Sequence, residues 1–226
     1  MKSFGLISRS LLAAAAALAV GGAWAAPVNW TNWSGISTAA ASGNMGGVSV
    51  SAITNSGAMD GPSQLGCGTN FWTEPNPADP AYTGGSVSNA PTNCQQVGLN
   101  SPVSVTVTFG SAIDTLYMAL LSVGQTNLTV SYTFDQAFTV DSEGAGFFGN
   151  GSYVLGAGNS LAMNEFHGVL RFSAPVSSLT FRTAPGENWH AFTFGAAAVA
   201  VPEPGSLALV GLALLAAATA ARRKAA

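Results

Sequence analysis

The chain has 226 residues, of which 48% are hydrophobic and only 8% are charged, against a usual ~25% charged in globular domains. Five of the seven basic residues lie near the two ends, so between residues 26 and 204 two arginines stand against ten acidic residues, a net charge of −8. That balance argues against a nucleic-acid-binding function, because phosphate binding requires clustered Lys and Arg. The same segment contains no lysine, which excludes Schiff-base lysine chemistry and a P-loop there.

Residues 1–25 predict a secretory signal peptide. Lys2 and Arg9 form a basic start, and an uncharged apolar run follows at Leu11–Val20. The Ala-Trp-Ala sequence at Ala23–Ala25 has the small-residue pattern that signal peptidase recognises, so we expect cleavage after Ala25. A retained membrane anchor is the alternative, although the apolar run is short for a span of ~20 residues.

Residues 26–200 predict a secreted all-β domain, an antiparallel β-sandwich of jelly-roll-like type. Apolar and polar residues alternate over 48–52, 103–109, 128–134 and 179–182. Alternation of period two places one strand face in a core and the other in water. Further candidate strands are 115–123, 138–140, 152–155, 169–172 and 189–194. Gly-rich turns separate nearly all of these segments, as in sandwiches.

Residues 55–101 are rich in Gly and Pro, and we expect them to form a long irregular insertion between strands. The only two cysteines, Cys67 and Cys94, lie in this insertion. In an exported chain such a pair indicates a disulfide, here closing a loop of about 27 residues. A free thiol nucleophile or a metal site is the alternative, but two cysteines without a nearby histidine do not form a structural zinc site.

Trp72 and Tyr82 in the insertion are candidates for sugar binding. Exposed Trp and Tyr rings stack on the apolar faces of sugars, and their polar tips reach hydroxyl groups. The alternative is that both rings cover the edge of the sandwich or enter its core. Exposure of the two rings decides between these interpretations.

Acidic residues cluster before a Gly-rich stretch, with Asp141 and Glu143 as weak candidates for a structural calcium site. The alternatives are solvated turn residues or, together with Glu165 or Glu187, a glycosidase pair. The chain lacks the H-E-x-x-H and G-x-S-x-G motifs, and no G-x-G-x-x-G lies between a predicted strand and a predicted helix. We therefore expect no catalytic site and no cofactor other than calcium.

Residues 201–226 contain three parts in a fixed order: Pro202-Glu203-Pro204, an uncharged run at 205–221, and Arg222-Arg223-Lys224. The run has 17 residues, and a helix of ~25 Å just spans a bilayer core of ~30 Å if its ends snorkel. The basic cluster then stays cytoplasmic. A buried core helix is the alternative, but a basic cluster directly after the last apolar residue fits a core poorly.

This order resembles the PEP-CTERM sorting tail of Gram-negative bacteria. The resemblance implies recognition by an exosortase, cleavage near the Pro-Glu-Pro motif and transfer of the ectodomain from the inner membrane to the cell exterior. It also implies an association with exopolysaccharide and biofilm. We therefore expect an exported surface or matrix protein, processed by signal peptidase and an exosortase, with a structural or adhesive role within exopolysaccharide. A carbohydrate-binding module is the alternative, and a glycan-active enzyme is a third candidate.

Overall fold

The computed structural model describes residues 25, 27–91, 93–198, 211 and 214. The predicted signal peptide up to residue 24, the Pro202-Glu203-Pro204 motif and the basic cluster Arg222-Arg223-Lys224 lie outside the described residues, as does the predicted span apart from residues 211 and 214. Within the described ranges, no helix is both long enough and apolar enough to cross a membrane.

The described part of the chain forms 15 strands in two antiparallel sheets. In chain order they are β1 (Val28–Trp30), β2 (Asn32–Ile36), β3 (Ala40–Met45), β4 (Val48–Ser56), β5 (Gly61–Gln64), β6 (Gln96–Leu99), β7 (Val103–Ile113), β8 (Leu116–Val123), β9 (Val130–Phe134), β10 (Thr139–Glu143), β11 (Ser152–Gly156), β12 (Ser160–Asn164), β13 (Phe166–Phe172), β14 (Val176–Ala184) and β15 (His190–Ala197).

One sheet has the order β10-β13-β8-β15-β6-β5, with β1 also paired to β15, and the other has the order β11-β12-β9-β14-β7-β4-β3-β2. The two sheets face each other across a single large apolar cluster. This arrangement confirms the prediction of an antiparallel β-sandwich.

Three strands with the alternating pattern of apolar and polar residues, β4, β7 and β14, are neighbours within the eight-stranded sheet. Val107 on β7 is flanked by Ala52 on β4 and Leu179 on β14, and all three are buried in the inter-sheet core. The polar residues between them, such as Thr108, point to solvent. One buried face and one wet face explain why these strands were visible in the sequence.

The central strand β8 of the seven-stranded sheet is buried on both faces. Leu116, Met118 and Leu120 enter the inter-sheet core. Tyr117, Ala119 and Leu121 enter a second apolar cluster on the opposite face of the same sheet. A strand covered on both faces reads as a continuous apolar run rather than as an alternating one.

The Gly- and Pro-rich insertion covers the outer face of the seven-stranded sheet, and we call it the covering layer. Its irregular part is shorter than predicted. Strands β5 and β6 lie inside the range 55–101 and pair with each other, so only residues 65–95 are largely irregular. These residues fold over the outer face of the sheet, where Ala81 and Val87 pack against β8. The outcome is a third layer, which excludes water from the outer face.

The disulfide between Cys67 and Cys94 is present, with a Cα–Cα distance of 4.9 Å and a sequence separation of 27. The prediction of this bond from the cysteine pair is confirmed. The bond joins the two ends of the irregular segment and holds it next to β6, whose first residue, Gln96, follows Cys94 by two positions. The disulfide therefore fixes the covering layer to the sheet.

Candidate functional site

Trp72 and Tyr82 do not form an exposed sugar-stacking surface. Trp72 is 1% exposed and Tyr82 is fully buried. Their rings meet edge to face, with centroids 5.1 Å apart, and the Trp72 indole N–H donates to the Gln95 carbonyl at 3.2 Å. Both rings are the apolar underside of the covering layer, because an irregular segment can stay docked only by burying its large side chains.

A buried polar network holds Tyr82 against the sheet. Its hydroxyl lies 2.7 Å from His167 Nδ1, which also accepts the backbone N–H of Ser122 at 3.3 Å. The Ser122 hydroxyl donates to Glu165, and Glu165 Oε1 lies 3.7 Å from His167 Nε2. A hydrolase nucleophile needs its hydroxyl on the imidazole, whereas this hydroxyl is directed to a carboxylate.

Electrostatics in this network follow from burial and hydrogen bonding. Burial alone would raise the pKa of Glu165, but the nearby His167 imidazole and the hydrogen bond from Ser122 outweigh that effect, so the pKa lies below its ordinary value of 4.5. Burial and the nearby carboxylates Glu74 and Glu165 raise the pKa of Tyr82. The network thus favours an ionised Glu165 beside a protonated Tyr82.

The calcium candidates are divided between two environments. Both carboxylate oxygens of Asp141 accept hydrogen bonds from Ser86, one from its N–H and one from its hydroxyl, each at 2.9 Å. Glu143 is exposed. Partial burial of its carboxyl, and then repulsion from the Asp79 carboxylate, raise the pKa of Glu143 above 4.5. In the described ranges no three His, Cys, Asp or Glu side chains are grouped to hold a metal, so calcium stays a prediction.

Glu187 does not lie in a solvated turn, contrary to the simplest interpretation of the sequence. Its side chain is fully buried, 2.8 Å from His190 Nδ1. It also accepts the backbone N–H of Gly124 at 2.7 Å. The Glu187 carboxylate therefore connects the turn before β15 to the turn after β8 and stabilises the fold there.

Four aromatic rings other than Trp72 and Tyr82 reach the surface, two of them exposed and two half-buried. We call Phe71, Phe147, Phe148 and Trp189 the aromatic patch. Phe71 lies 5.1 Å from Phe147, 5.6 Å from Phe148 and 5.5 Å from Trp189 between ring centroids. Phe147 and Phe148 are 46% and 47% exposed. Phe71 contacts the other three rings, and the four rings, two exposed and two half-buried, form a contiguous apolar surface of the kind that marks binding sites.

Three separate segments position the patch. Phe71 belongs to the covering layer, and Trp189 stands directly before β15, where its indole N–H donates to the Pro62 carbonyl at 2.9 Å. Phe147 and Phe148 sit at the tip of a tight turn closed by the N–H of Gly146 and the carbonyl of Gly149 at 2.8 Å. Gly146 lies directly on the His167 ring, which a Cβ at this position would overlap. The turn therefore requires glycine there to hold the two phenylalanines beside Phe71.

A pocket of about 280 Å³ opens beside the patch, lined by Phe71, Phe148, Trp189, Gln96 and residues 62–64. Gln96 is 2% exposed, and its Oε1 has no hydrogen-bond partner among the described residues. Val97 and Leu99 of the same strand enter the inter-sheet core, so Gln96 faces the opposite side of the sheet, toward the pocket. Among the residues that the structure describes, no charged side chain lines the pocket.

Sequence reasoning did not predict this site. Its sugar-binding candidates were Trp72 and Tyr82, and the residues of the aromatic patch and Gln96 were not among them. An adjacent pair of phenylalanines within the Gly-rich stretch 144–151 was the available signal, because an apolar pair at a turn has no core to enter. Nothing local distinguishes Gln96 from the other polar residues of the insertion.

The C-terminal tail contains a known protein-sorting motif. The PEP-CTERM protein-sorting motif matches residues 200–224. This chain carries a PEP-CTERM sorting motif at its C-terminal end. The match confirms the resemblance noted in the tail and indicates an exported protein that is processed by an exosortase.

The ectodomain of this PEP-CTERM protein has weaker likenesses. No curated protein matches the chain. Two solved structures show similarity, the catalytic domain of a GH87 alpha-1,3-glucanase in complex with tetrasaccharides and the same domain in complex with nigerose. Each is 16% identical, has a TM-score of 0.29, and aligns with 75% of this chain but only 31% of its own length. The chain therefore spans about a third of those structures.

Proposed function

We propose that this PEP-CTERM protein is a non-catalytic component of the cell surface or of an exopolysaccharide matrix, with a structural or adhesive role. The sorting motif at residues 200–224 carries the proposal, since exosortase processing delivers the ectodomain outside the cell. The tail anchors the precursor in the inner membrane until the exosortase cleaves the tail.

Properties of the ectodomain support a role in a hydrated matrix. Between residues 27 and 198 the sequence has nine acidic residues and two arginines, so the surface repels anionic polymers rather than binding them unspecifically. The disulfide adds a covalent cross-link that suits an extracellular protein. The carboxylates Asp141 and Glu187 are held by hydrogen-bond donors of the fold, which favours structural tasks over a glycan-active enzyme.

A carbohydrate-binding module is the second candidate function. The aromatic patch favours it, because exposed rings beside a neutral pocket are a suitable surface for sugars. This candidate adds a ligand to the first function and does not replace it.

Intact mass of the protein from culture medium and from inner membranes tests the proposed sorting. We expect a medium form that begins at Ala26 and ends near Pro204. A variant with alanine at Pro202, Glu203 and Pro204 should remain in the membrane with its full C-terminus, while the neighbouring control Ser206→Ala should be processed normally. A triple variant that reaches the medium with a shortened C-terminus would refute the sorting proposal. Added mass beyond Pro204 would identify a glycan or lipid attached at the cut end.

A further inference from the structure

Gln96 is the unusual element of the pocket beside the aromatic patch. A buried amide oxygen without a partner costs about 1–3 kcal/mol in a folded protein, so such groups are rare. Two other polar groups of the pocket are engaged within the fold. Ser63 Oγ accepts the N–H of Gly98 at 2.9 Å, and Gln64 Nε2 donates to the Cys94 carbonyl at 2.6 Å. Among the buried side-chain polar atoms of the described pocket residues, Oε1 of Gln96 alone has no partner and can receive a donor from a ligand.

The rings around Gln96 define the shape of what fits there. Phe71 and Phe148 stack nearly parallel, with an angle of 21° between their planes, and Trp189 closes one side at 5.7 Å from Phe148. A ligand must therefore present an apolar face to the rings and a hydrogen-bond donor to the amide. The volume of about 280 Å³ lies just below the range of ~300–1,000 Å³ for drug-sized ligands, which suits a single sugar ring.

The charges of the pocket and of the surrounding domain favour a neutral ligand over an anionic one. The pocket has no ionised lining residue, and the surrounding domain is strongly acidic, with nine acidic residues against two arginines between residues 27 and 198. An anionic glycan would lose affinity through repulsion and would find no cation to pair with. A neutral glycan meets neither obstacle.

We propose that this pocket binds one pyranose unit of a neutral exopolysaccharide. The C–H face of the pyranose ring stacks on Trp189, its edge contacts Phe148, whose plane is inclined by 69° to that of Trp189, and one hydroxyl donates to Gln96 Oε1. The disulfide between Cys67 and Cys94 keeps Phe71 over β6, so the pocket is formed before the ligand arrives. This proposal rests on the proposed function, which places the protein in contact with exopolysaccharide.

Calorimetric titration of the full chain, purified in a detergent without sugar groups, tests the proposal. The probes are neutral hexasaccharides (β-1,4-, β-1,3- and α-1,4-linked glucose and β-1,4-linked mannose), with hexagalacturonate as the anionic probe. We expect at least one neutral probe to bind and the anionic probe not to bind. Trp189→Ala should weaken binding about tenfold or more, as for a central aromatic contact.

Gln96→Met gives the sharper result, because it keeps the side-chain size and removes the acceptor. It should weaken binding about fivefold, the loss expected for one neutral hydrogen bond, without lowering the melting temperature. Leu155→Ala is the matched control, since Leu155 is 59% exposed on β11, outside the pocket. It should bind as the native chain does.

Three outcomes would overturn the glycan site. They are no binding to any neutral probe, binding that Trp189→Ala leaves unchanged, and self-association of the chain that Trp189→Ala abolishes, which would make the patch a protein interface. Each of these leaves the sorting proposal intact if the Trp189→Ala chain is still exported at the native mass. Conversely, a failure of the Pro202-Glu203-Pro204 test concerns the sorting proposal alone, because the purified chain either binds sugar or does not.

Discussion

Removal of the Cys67–Cys94 disulfide should lower the free energy of unfolding by about 3.5 kcal/mol. The bond closes a loop with a sequence separation of 27. In the chain-entropy description, a loop of that length loses about 12 cal/mol/K of denatured-state entropy, which is about 3.5 kcal/mol at 25 °C. The double variant Cys67→Ala/Cys94→Ala removes the bond and leaves no free thiol.

The assay is equilibrium unfolding in guanidinium chloride, followed both by far-ultraviolet circular dichroism and by tryptophan fluorescence. With a slope of about 5 kcal/mol/M, the midpoint should fall by about 0.7 M. The native chain treated with a reductant is the matched control, because it keeps the native side chains and lacks only the bond. The reduced chain and the double variant should unfold at nearly the same midpoint.

The two probes report on different features. Circular dichroism follows the two sheets, whereas fluorescence follows both Trp33 in the inter-sheet core and Trp72, which is 1% exposed beneath the covering layer. Coincident transitions would show that the covering layer and the sandwich unfold together. A midpoint loss worth less than about 1 kcal/mol would refute the loop-entropy reasoning, since it would mean that the open loop is already restricted in the denatured chain.

Three further predictions follow from buried and charged groups. The hydroxyl of Tyr132 is buried without a partner among the described residues, so Tyr132→Phe should leave the free energy of unfolding unchanged or raise it by up to about 1 kcal/mol; a clear loss in guanidinium unfolding would show that a water holds the hydroxyl. The pKa of Glu165 is lowered in the fold, so its ionised form stabilises the protein above the ordinary pKa of 4.5 and this gain disappears as the pH falls through the lowered value. Glu165→Gln should therefore cost roughly 1 kcal/mol at pH 7, after allowance for partial exposure, and progressively less as the pH falls below 4.5. The pKa of Glu143 is raised, so Glu143→Gln should instead stabilise the protein at pH 7 by about a few tenths of a kcal/mol, and a melting-temperature series from pH 3 to 7 in which both variants shift the same way would contradict the assigned signs.

Local patterns in the sequence were sufficient for much of the sandwich. Val103, Val105 and Val107 alternate with polar residues, and they form one buried face of β7. Such a signal is local, because the period of the strand alone decides which side chains share a face. The cysteine pair was equally readable, since only two cysteines were available to pair.

The missed strands have physical causes. Strands β5 and β6 are four residues each, too short and too rich in Gly and Gln to show a period. Gly61 and Gly98 are paired partners, and a Cβ on either would overlap the other strand's backbone. Glycine is required by this close approach, and without the partner strand it reads only as a turn residue.

The residues of the aromatic patch could not be predicted from local sequence patterns either. The sequence alone determined where the protein is sent, that its ectodomain is a disulfide-bonded β-sandwich, and that it carries few cations. Only the tertiary structure decided which aromatic rings meet water, because Phe71 and Trp72 are neighbours in sequence and yet one joins the patch while the other enters the buried cluster. Burial depends on which distant strands pair beneath a loop, and an irregular loop has no period from which that pairing could be inferred.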